Sequence, residues 1–131
     1  MKKIIAAALM VSCLLTNKTQ AIAQPHYETG VLYQIECTAY CDTGDTSTGY
    51  TIPADGSMKK QIAAFSPEMA GYVAVVTMPD GTNQMYEILD TGSIECGIRT
   101  GEVIDLWMPT EHQCNEFGRQ VLNVYFVKGE G

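Results

Sequence analysis

The sequence predicts a small, mainly β domain that closes into a barrel and carries one short helix. Apolar and polar residues alternate, or β-branched and aromatic residues cluster, in segments typical of strands, at 31–40, 72–78, 84–89, 103–108 and 121–127. Only one segment, after Pro109, begins as a helix should. At 131 residues, the chain has the length of a single domain.

The two central strands form a predicted hairpin. Residues 72–78 read YVAVVTM and 84–89 read QMYEIL, and Pro79-Asp80-Gly81 lies between them with the composition of a turn. Before this hairpin, 62–65 is a short apolar piece that Ser66-Pro67 ends. We therefore expect 72–78 and 84–89 to pair antiparallel.

A long loop and a short helix complete the predicted elements. Residues 42–57 are rich in Thr, Gly, Asp and Ser, which predicts a surface loop of the kind that often carries function. Thr110 can cap the helix, with Gln113 completing a capping box and Gly118 ending it. The helix is therefore expected to be short.

The N-terminus has the three parts of a secretory signal. Lys2 and Lys3 precede the apolar stretch 4–15, and Ala21-Ile22-Ala23 has the small residues that signal peptidase reads. The apolar stretch is shorter than the roughly 18 residues that a membrane span needs. We predict cleavage after Ala23, with lipoprotein processing at Cys13 as the alternative.

Cleavage after Ala23 defines the predicted domain organisation. Residues 1–23 are the signal peptide, 24–36 are the N-terminal leader and first strand, and 37–131 are the barrel domain. We expect the mature protein to be secreted or to remain in the cell envelope, outside the cytoplasm. We also expect it to be a monomer without stable insertion in a membrane.

The mature chain is strongly acidic. Loss of Lys2, Lys3 and Lys18 lowers the basic count from 8 to 5 against 15 acidic residues, which gives a formal charge of −10. Nucleic acids and anionic membrane surfaces are bound by clustered Lys and Arg, so we expect neither as a partner.

Four cysteines remain after cleavage, Cys37, Cys41, Cys96 and Cys114, an even number typical of two disulfides in a small exported domain. If 37–41 is extended, its two cysteines lie about 13 Å apart, too far to bridge each other. Each then pairs with Cys96 or Cys114, and the connectivity stays open.

A four-cysteine zinc site is the alternative, but the spacing is not that of a zinc ribbon, and we expect no metal or other cofactor.

Two aspartates are the strongest candidates for chemistry. Asp90 stands where a strand ends and Thr91-Gly92 begins a turn, whereas Asp105 lies within the apolar run of Ile104 to Trp107. A carboxylate in such a run either faces solvent from an amphipathic strand or is buried. When buried it must be paired, hydrogen-bonded or protonated with a raised pKa, and a raised pKa is what a general acid requires near neutral pH.

Six motifs follow one another between residues 37 and 127: Cys37-Thr38-Ala39-Tyr40-Cys41, Ile62-Ala63-Ala64, Leu89-Asp90-Thr91-Gly92, Ile104-Asp105-Leu106-Trp107, Phe117-Gly118-Arg119 and Val124-Tyr125. In this order they resemble the 3D domain family, which is named for three aspartates. The resemblance implies a six-stranded double-psi β-barrel, related to the C-terminal domain of membrane-bound lytic transglycosylase A.

The resemblance also implies an activity and its residues. Asp105 matches the aspartate that the family uses as general acid and base, and Asp90 matches the Asp-Thr-Gly aspartate beside it. Family members cleave the glycan strand of peptidoglycan without water and leave a 1,6-anhydro sugar end. One carboxylate suffices, because the acid that protonates the glycosidic oxygen then takes the proton of the attacking 6-hydroxyl.

Two positions depart from the family pattern. Ser66, before Pro67, stands where the first family aspartate is expected, and Gly92-Ser93 replaces the usual Gly-Gly. Ser66 can hydrogen-bond Asp90 or Asp105, but it supplies no charge. A missing like charge also removes one source of a raised pKa at the remaining carboxylates.

Further residues are assigned to the binding of substrate: Tyr40, Thr91, Gly92, Ser66 and Arg99. Tyr40 offers an aromatic face to a sugar ring, and Arg99 offers bidentate contacts to a substrate carboxylate. The alternatives are core packing for Tyr40 and a surface ion pair for Arg99. Trp107 also has an aromatic face, but core packing is the favoured interpretation of it.

Three functions are compatible with the sequence. The first is an exported lytic transglycosylase that acts on peptidoglycan glycan strands. The second is a non-catalytic module that binds the cell wall or a carbohydrate on the same barrel, which the loss of the first aspartate favours. The third is a secreted interaction protein, because a fold alone does not define a function.

Overall fold

A computed structural model describes residues 25–129 of the chain. Its elements, in chain order, are β1 (Tyr33–Tyr40), β2 (Gly44–Asp45), β3 (Thr51–Ile52), β4 (Ile62–Ala64), β5 (Val73–Thr77), β6 (Asn83–Asp90), β7 (Val103–Trp107), α1 (Glu111–Phe117) and β8 (Gln120–Val127). A single 3₁₀ turn, Pro67–Met69, follows β4. The predicted signal peptide and its cleavage site lie outside the described residues.

Six of the strands close into a barrel in the order β1-β7-β4-β6-β5-β8. The β1–β7 and β4–β6 pairs are parallel, and the other four pairs are antiparallel. This mixed, closed barrel with one α-helix confirms the predicted fold class, a small six-stranded double-psi β-barrel. Within residues 25–129, no helix is long and apolar enough to cross a membrane.

The predicted hairpin and helix are both present. β5 pairs antiparallel with β6 across the Pro79–Gly81 turn. Thr110 caps α1 by accepting a hydrogen bond from the Gln113 amide, and Gly118 ends it with a φ of 66°. That left-handed backbone favours glycine.

The segment 42–57 is more ordered than the predicted surface loop. It contains β2 and β3, which pair antiparallel in a two-stranded ribbon outside the barrel. Thr46 is buried inside the ribbon's turn, where its hydroxyl and amide both donate to the Tyr50 carbonyl at 2.8 Å. The sequence pattern missed this ribbon because two-residue strands among Gly and Thr have no detectable alternation.

The interior of the barrel is aromatic and aliphatic. Phe65 and Phe126 are fully buried and stack with ring centroids 5.6 Å apart. Tyr27, from the leader, packs 5.3 Å from Phe126 and donates its hydroxyl to the Gly101 carbonyl at 2.7 Å. The leader therefore contributes to the core of the barrel.

Both faces of β7 are covered, by different parts of the chain. Ile104 and Leu106 point into the barrel and belong to the main core. On the outer face, Val103 packs with Ile98 from the loop after β6, and Trp107 packs with Ile52 from β3. Asp105 occupies the position between Val103 and Trp107 on this outer face, so the two loops place it in a recess.

Candidate functional site

A cleft of about 330 Å³ opens on the outer face of β7, between the β2–β3 ribbon and the loop after β6. Its lining consists of Tyr40, Asp42, Thr43, Gly44, Asp45, Ile52, Ala64, Asp90, Thr91, Gly92, Ser93, Ile98 and Asp105. The volume is in the range of small-ligand sites. The cleft brings together five of the predicted site residues: Asp105, Asp90, Tyr40, Thr91 and Gly92.

The two candidate aspartates lie on either side of one alanine. Ala64 pairs with Asp105 on β7 and with Asp90 on β6. Because adjacent strands are about 4.8 Å apart, the two aspartate backbones are roughly 10 Å apart. The methyl group of Ala64 fills little of the space between them, so the carboxylates face one cleft.

A bulge sets this alignment. The register of β4 against β6 shifts between Ala63 and Ala64, so that Ala63 pairs with Ile88 but Ala64 pairs with Asp90. Leu89 is the extra residue, and it packs with the cluster around Trp107. Bulges of this kind redirect side chains at sheet edges and sites, and this one places Asp90 in the row of Ala64.

Asp105 is half-buried and accepts a hydrogen bond from the Thr38 hydroxyl at 2.9 Å. Burial raises the pKa of the Asp105 carboxyl above its ordinary value, and the charges of Asp42 and Asp90 raise it further. The hydrogen bond from Thr38 and the charge of Arg119 oppose the rise without cancelling it. Asp105 therefore holds its proton to a higher pH than an exposed aspartate does.

Three donors fix the carboxylate of Asp90. Its Oδ1 accepts from the amides of Ser47 at 3.1 Å and Thr91 at 2.9 Å, and its Oδ2 accepts from the Tyr40 hydroxyl at 3.3 Å. The donors come from β1, the ribbon and the turn after β6. Through these bonds Asp90 links the two walls of the cleft, and it also lines the cavity.

Gly92 allows the loop after β6 to close over the cleft. A Cβ atom at this position would lie 2.9 Å from Cδ1 and 3.0 Å from Cβ of Ile98. Ile98 is 7% exposed and packs with Ala64 and Val103. The Asp-Thr-Gly turn therefore has a packing requirement for glycine, whether or not Gly92 also contacts a ligand.

Ser66 and Arg99, both predicted to bind substrate, are not in the cleft lining. Ser66 is buried and caps the 3₁₀ turn, where its hydroxyl accepts from the Glu68 amide at 3.4 Å. Arg99 donates from Nε to the Gly92 carbonyl at 3.0 Å. Ser66 therefore supports the 3₁₀ turn after β4, and Arg99 supports the loop after β6.

Trp107 and Arg119 have structural contacts. The indole nitrogen of Trp107 donates to the Asp42 carbonyl at 2.7 Å, and its ring is only 6% exposed. It packs in the cluster outside the barrel, as the core interpretation predicts. Arg119 forms an ion pair with Glu36 at 2.7 Å.

Asp42 and Asp45 lie in the cleft although the sequence pattern did not predict them as site residues. Both line the cleft with Asp90 and Asp105, and the described lining contains no Lys, Arg or His. The feature of the sequence that could have indicated them is the loop 41–50, which follows β1 directly and carries both carboxylates. Its position over β7 depends on the barrel order, which the sequence did not reveal.

The expectation of two disulfides is not supported, because all four described cysteines are free thiols. Cys37 points into the barrel, is fully buried and donates to the Ile35 carbonyl at 3.4 Å. Cys41 lies one residue beyond the end of β1. Cys96 is exposed, and Cys41 and Cys114 are partly exposed. Within 25–129, no three His, Cys, Asp or Glu side chains are grouped to hold a metal.

Comparisons with known proteins identify the fold alone. No family model matches the chain, and no curated protein matches it. Among solved structures, the chain is similar to the Streptomyces papain inhibitor, with 18% sequence identity and a TM-score of 0.58. The similarity covers 79% of this chain and 100% of the inhibitor. The predicted relation to the 3D domain and to the lytic transglycosylase is not confirmed by these comparisons.

Proposed function

We propose that the protein acts on the glycan strand of peptidoglycan outside the cytoplasm, as a lytic transglycosylase with Asp105 as general acid and base. The observation that carries the proposal is the position of Asp105. It lies in the cleft beside Asp90, in surroundings that raise its pKa. A carboxyl group with a raised pKa is better suited than an ordinary one to protonate a glycosidic oxygen.

The reaction needs two proton transfers, both through one carboxyl group. Protonated Asp105 gives its proton to the bridging oxygen as the glycosidic bond breaks. The resulting carboxylate then takes the proton of the sugar's 6-hydroxyl as that oxygen closes the 1,6-anhydro ring. Thr38, which donates to Asp105 at 2.9 Å, keeps the carboxyl oriented through both steps.

Asp90 has a different role in this scheme. Its carboxylate is held by Tyr40, Ser47 and Thr91, so it cannot swing to replace Asp105 as the acid. Its fixed negative charge is placed to stabilise the positive charge that develops on the sugar as the bond breaks. Tyr40 adds an aromatic wall for the sugar ring.

The test is digestion of purified peptidoglycan, followed by mass spectrometry of the soluble products. We expect 1,6-anhydro products from the parent chain and a loss of about 10²- to 10⁴-fold in rate for Asp105→Asn. Glu95→Gln makes the same chemical change at an exposed position outside the cleft and should leave the rate unchanged. Full activity of Asp105→Asn would contradict the assignment, and pelleting with peptidoglycan without any product would favour the non-catalytic wall-binding module.

A second candidate function is the inhibition of a cysteine protease. The observation that favours it is the likeness to the Streptomyces papain inhibitor, over the full length of that chain. The loop after β6 also presents Ile94, which is 63% exposed, on a turn held by the Gly97–Ile94 and Ile98–Ser93 backbone hydrogen bonds at 3.0 and 3.2 Å. A loop that is already rigid loses little entropy when it binds.

An inhibition assay separates the two candidates. If the second is right, the purified chain inhibits papain, Ile94→Asp weakens the inhibition and Asp105→Asn leaves it unchanged. If the first is right, Ile94→Asp leaves the release of anhydro products unchanged. The two variants therefore assign the function to the cleft or to the exposed loop.

A further inference from the structure

The cleft is lined by carboxyl groups that have no countercharge within the described part of the chain. Four lining residues are aspartates: Asp42, Asp45, Asp90 and Asp105. The ion pairs among residues 25–129 are Lys60–Glu87, His112–Glu116 and Arg119–Glu36, and none of them includes a cleft aspartate. The formal net charge of the chain is −7, so more distant residues do not offset these groups. The potential in the cleft therefore favours a cation.

Asp42 is the most available of the four aspartates. The carboxyl groups of Asp90 and Asp105 are held by neighbouring donors. Asp45 accepts from the Thr51 hydroxyl at 2.7 Å. Asp42 is exposed, and in the described part of the chain its carboxylate has neither a hydrogen-bond donor nor an ion pair. It is therefore free to bind a donor from a ligand.

A buried hydroxyl in the cleft wall also lacks a partner, and this observation is independent of charge. Thr91 lines the cleft, and its Oγ1 is the one buried side-chain nitrogen or oxygen within residues 25–129 that has no hydrogen-bond partner. Buried polar atoms are rarely left unpaired, because they lose their hydrogen bonds with water without replacement. A molecule bound in the cleft can supply the missing bond.

We propose that the cleft binds its substrate through a free primary ammonium group, which the carboxylates attract and which donates a hydrogen bond to Thr91 Oγ1. An ammonium has three donors and no acceptor, so it can satisfy a carboxylate and a hydroxyl together. A bare metal ion fits less well, because no three His, Cys, Asp or Glu side chains within 25–129 are grouped to hold one.

The inference rests on the proposed function for the polymer, peptidoglycan, and on the cleft for the charge of the bound group. Peptidoglycan has two sources of a primary ammonium. One is an amino sugar that has lost its N-acetyl group, and the other is the diamino acid of the stem peptide. Acetylation removes the charge from either source, so acetylated ligands are the natural controls.

The test measures binding of two ligand pairs to the full chain by calorimetry. One pair is a glucosamine tetrasaccharide and its N-acetylated form, and the other is a lysine-containing stem peptide and its Nε-acetyl form. We expect at least one ammonium form to bind about fivefold or more tightly than its acetylated form at low salt. High salt should reduce that preference. The pair that shows the preference identifies the source of the ammonium.

Two variants and one control locate the effect in the cleft. Asp42→Asn should weaken binding of the ammonium form about two- to fivefold, whereas Glu95→Gln removes a charge outside the cleft lining and should leave binding unchanged. Thr91→Val keeps the shape and removes an unpaired hydroxyl. This variant should melt no lower than the parent chain and yet bind the ammonium form more weakly. A lower melting temperature with unchanged binding would show that the hydroxyl is only structural.

The outcomes separate this inference from the proposed function. Equal binding of both forms in both pairs, tighter binding of the acetylated forms, or no binding of either ammonium form would overturn the inference. Release of 1,6-anhydro products is measured separately, from N-acetylated and from chemically deacetylated strands. Products without an ammonium preference would retain the transglycosylase and overturn the inference, whereas an ammonium preference without products would support the inference and contradict the transglycosylase.

Discussion

The two faces of β7 have different surroundings. Ile104 and Leu106 face the barrel interior, where they are fully buried among apolar side chains. Asp105, one position from each, faces the cleft and is covered only by two loops. One five-residue strand can therefore stabilise the core through one face and place a carboxyl group in the cleft through the other, because successive side chains point to opposite sides.

The largest loss of stability is expected from a substitution in the barrel interior. Phe126→Ala removes a fully buried ring that contacts Phe65, Tyr27 and Tyr33. We expect a loss of about 3–5 kcal/mol in the free energy of unfolding, measured by chemical denaturation. A loss below about 1 kcal/mol would show that the interior is not the main source of stability.

The next largest loss of stability is expected from a substitution where the loop after β6 packs beside the cleft. Gly92→Ala places a Cβ within 3.0 Å of Ile98 side-chain atoms, so the loop must move. We expect a loss of about 1–3 kcal/mol and faster proteolysis of 91–101. In the double variant with Ile98→Ala, the loss in the free energy of unfolding should be smaller than the sum of the two single losses. Truncation of Ile98 removes the Cδ1 and Cγ2 atoms that clash with the added Cβ. Strict additivity would contradict the contact.

A smaller and opposite effect on stability is expected from Asp105→Asn. Because the pKa of Asp105 is raised in the folded state, its contribution to stability is full at acid pH and is lost as pH rises through the folded pKa. Asparagine has no such titration. We expect the variant to equal or exceed the parent chain in melting temperature at pH 7, with a flatter dependence of stability on pH above about 4. A destabilised variant with the same pH dependence would contradict burial of the acid.

The smallest effect is a shift in the pH dependence of kcat/KM. The Thr38 hydroxyl lowers the pKa of Asp105 by hydrogen-bonding its carboxylate. Thr38→Val keeps the shape and removes the donor, so the pKa should rise and the alkaline limb of kcat/KM for peptidoglycan cleavage should move to higher pH. Movement to lower pH, with the barrel intact by circular dichroism, would contradict the assigned bond.

The features of the fold that the sequence predicts are local, whereas the cleft is formed by distant parts of the chain. The strands around Phe65 and Phe126, the hairpin and the capped helix follow from alternation, turn residues and Thr110, which act locally. The cleft depends on β7 lying between β1 and β4, on the bulge at Ala64 and on the ribbon that carries Asp42. These are non-local arrangements without a pattern in the sequence.

Two differences from the sequence analysis concern residues that follow a strand. The expected disulfides assume that 37–41 is extended, whereas β1 ends at Tyr40. Ser66 stands where the family pattern has a carboxylate, and its hydroxyl caps the 3₁₀ turn. The binding of substrate by Ser66 stays a prediction.

The proposed acid chemistry requires that Asp105 is shielded from solvent beside Asp90. Its pKa can be measured directly by following the side-chain carboxyl ¹³C signal through a pH titration. We expect a pKa of Asp105 clearly above the ordinary value of about 3.9, and a lower value in Asp90→Asn, because the Asp90 charge raises it. A pKa at or below about 3.9, unchanged in that variant, would show that Asp105 is not a shielded acid.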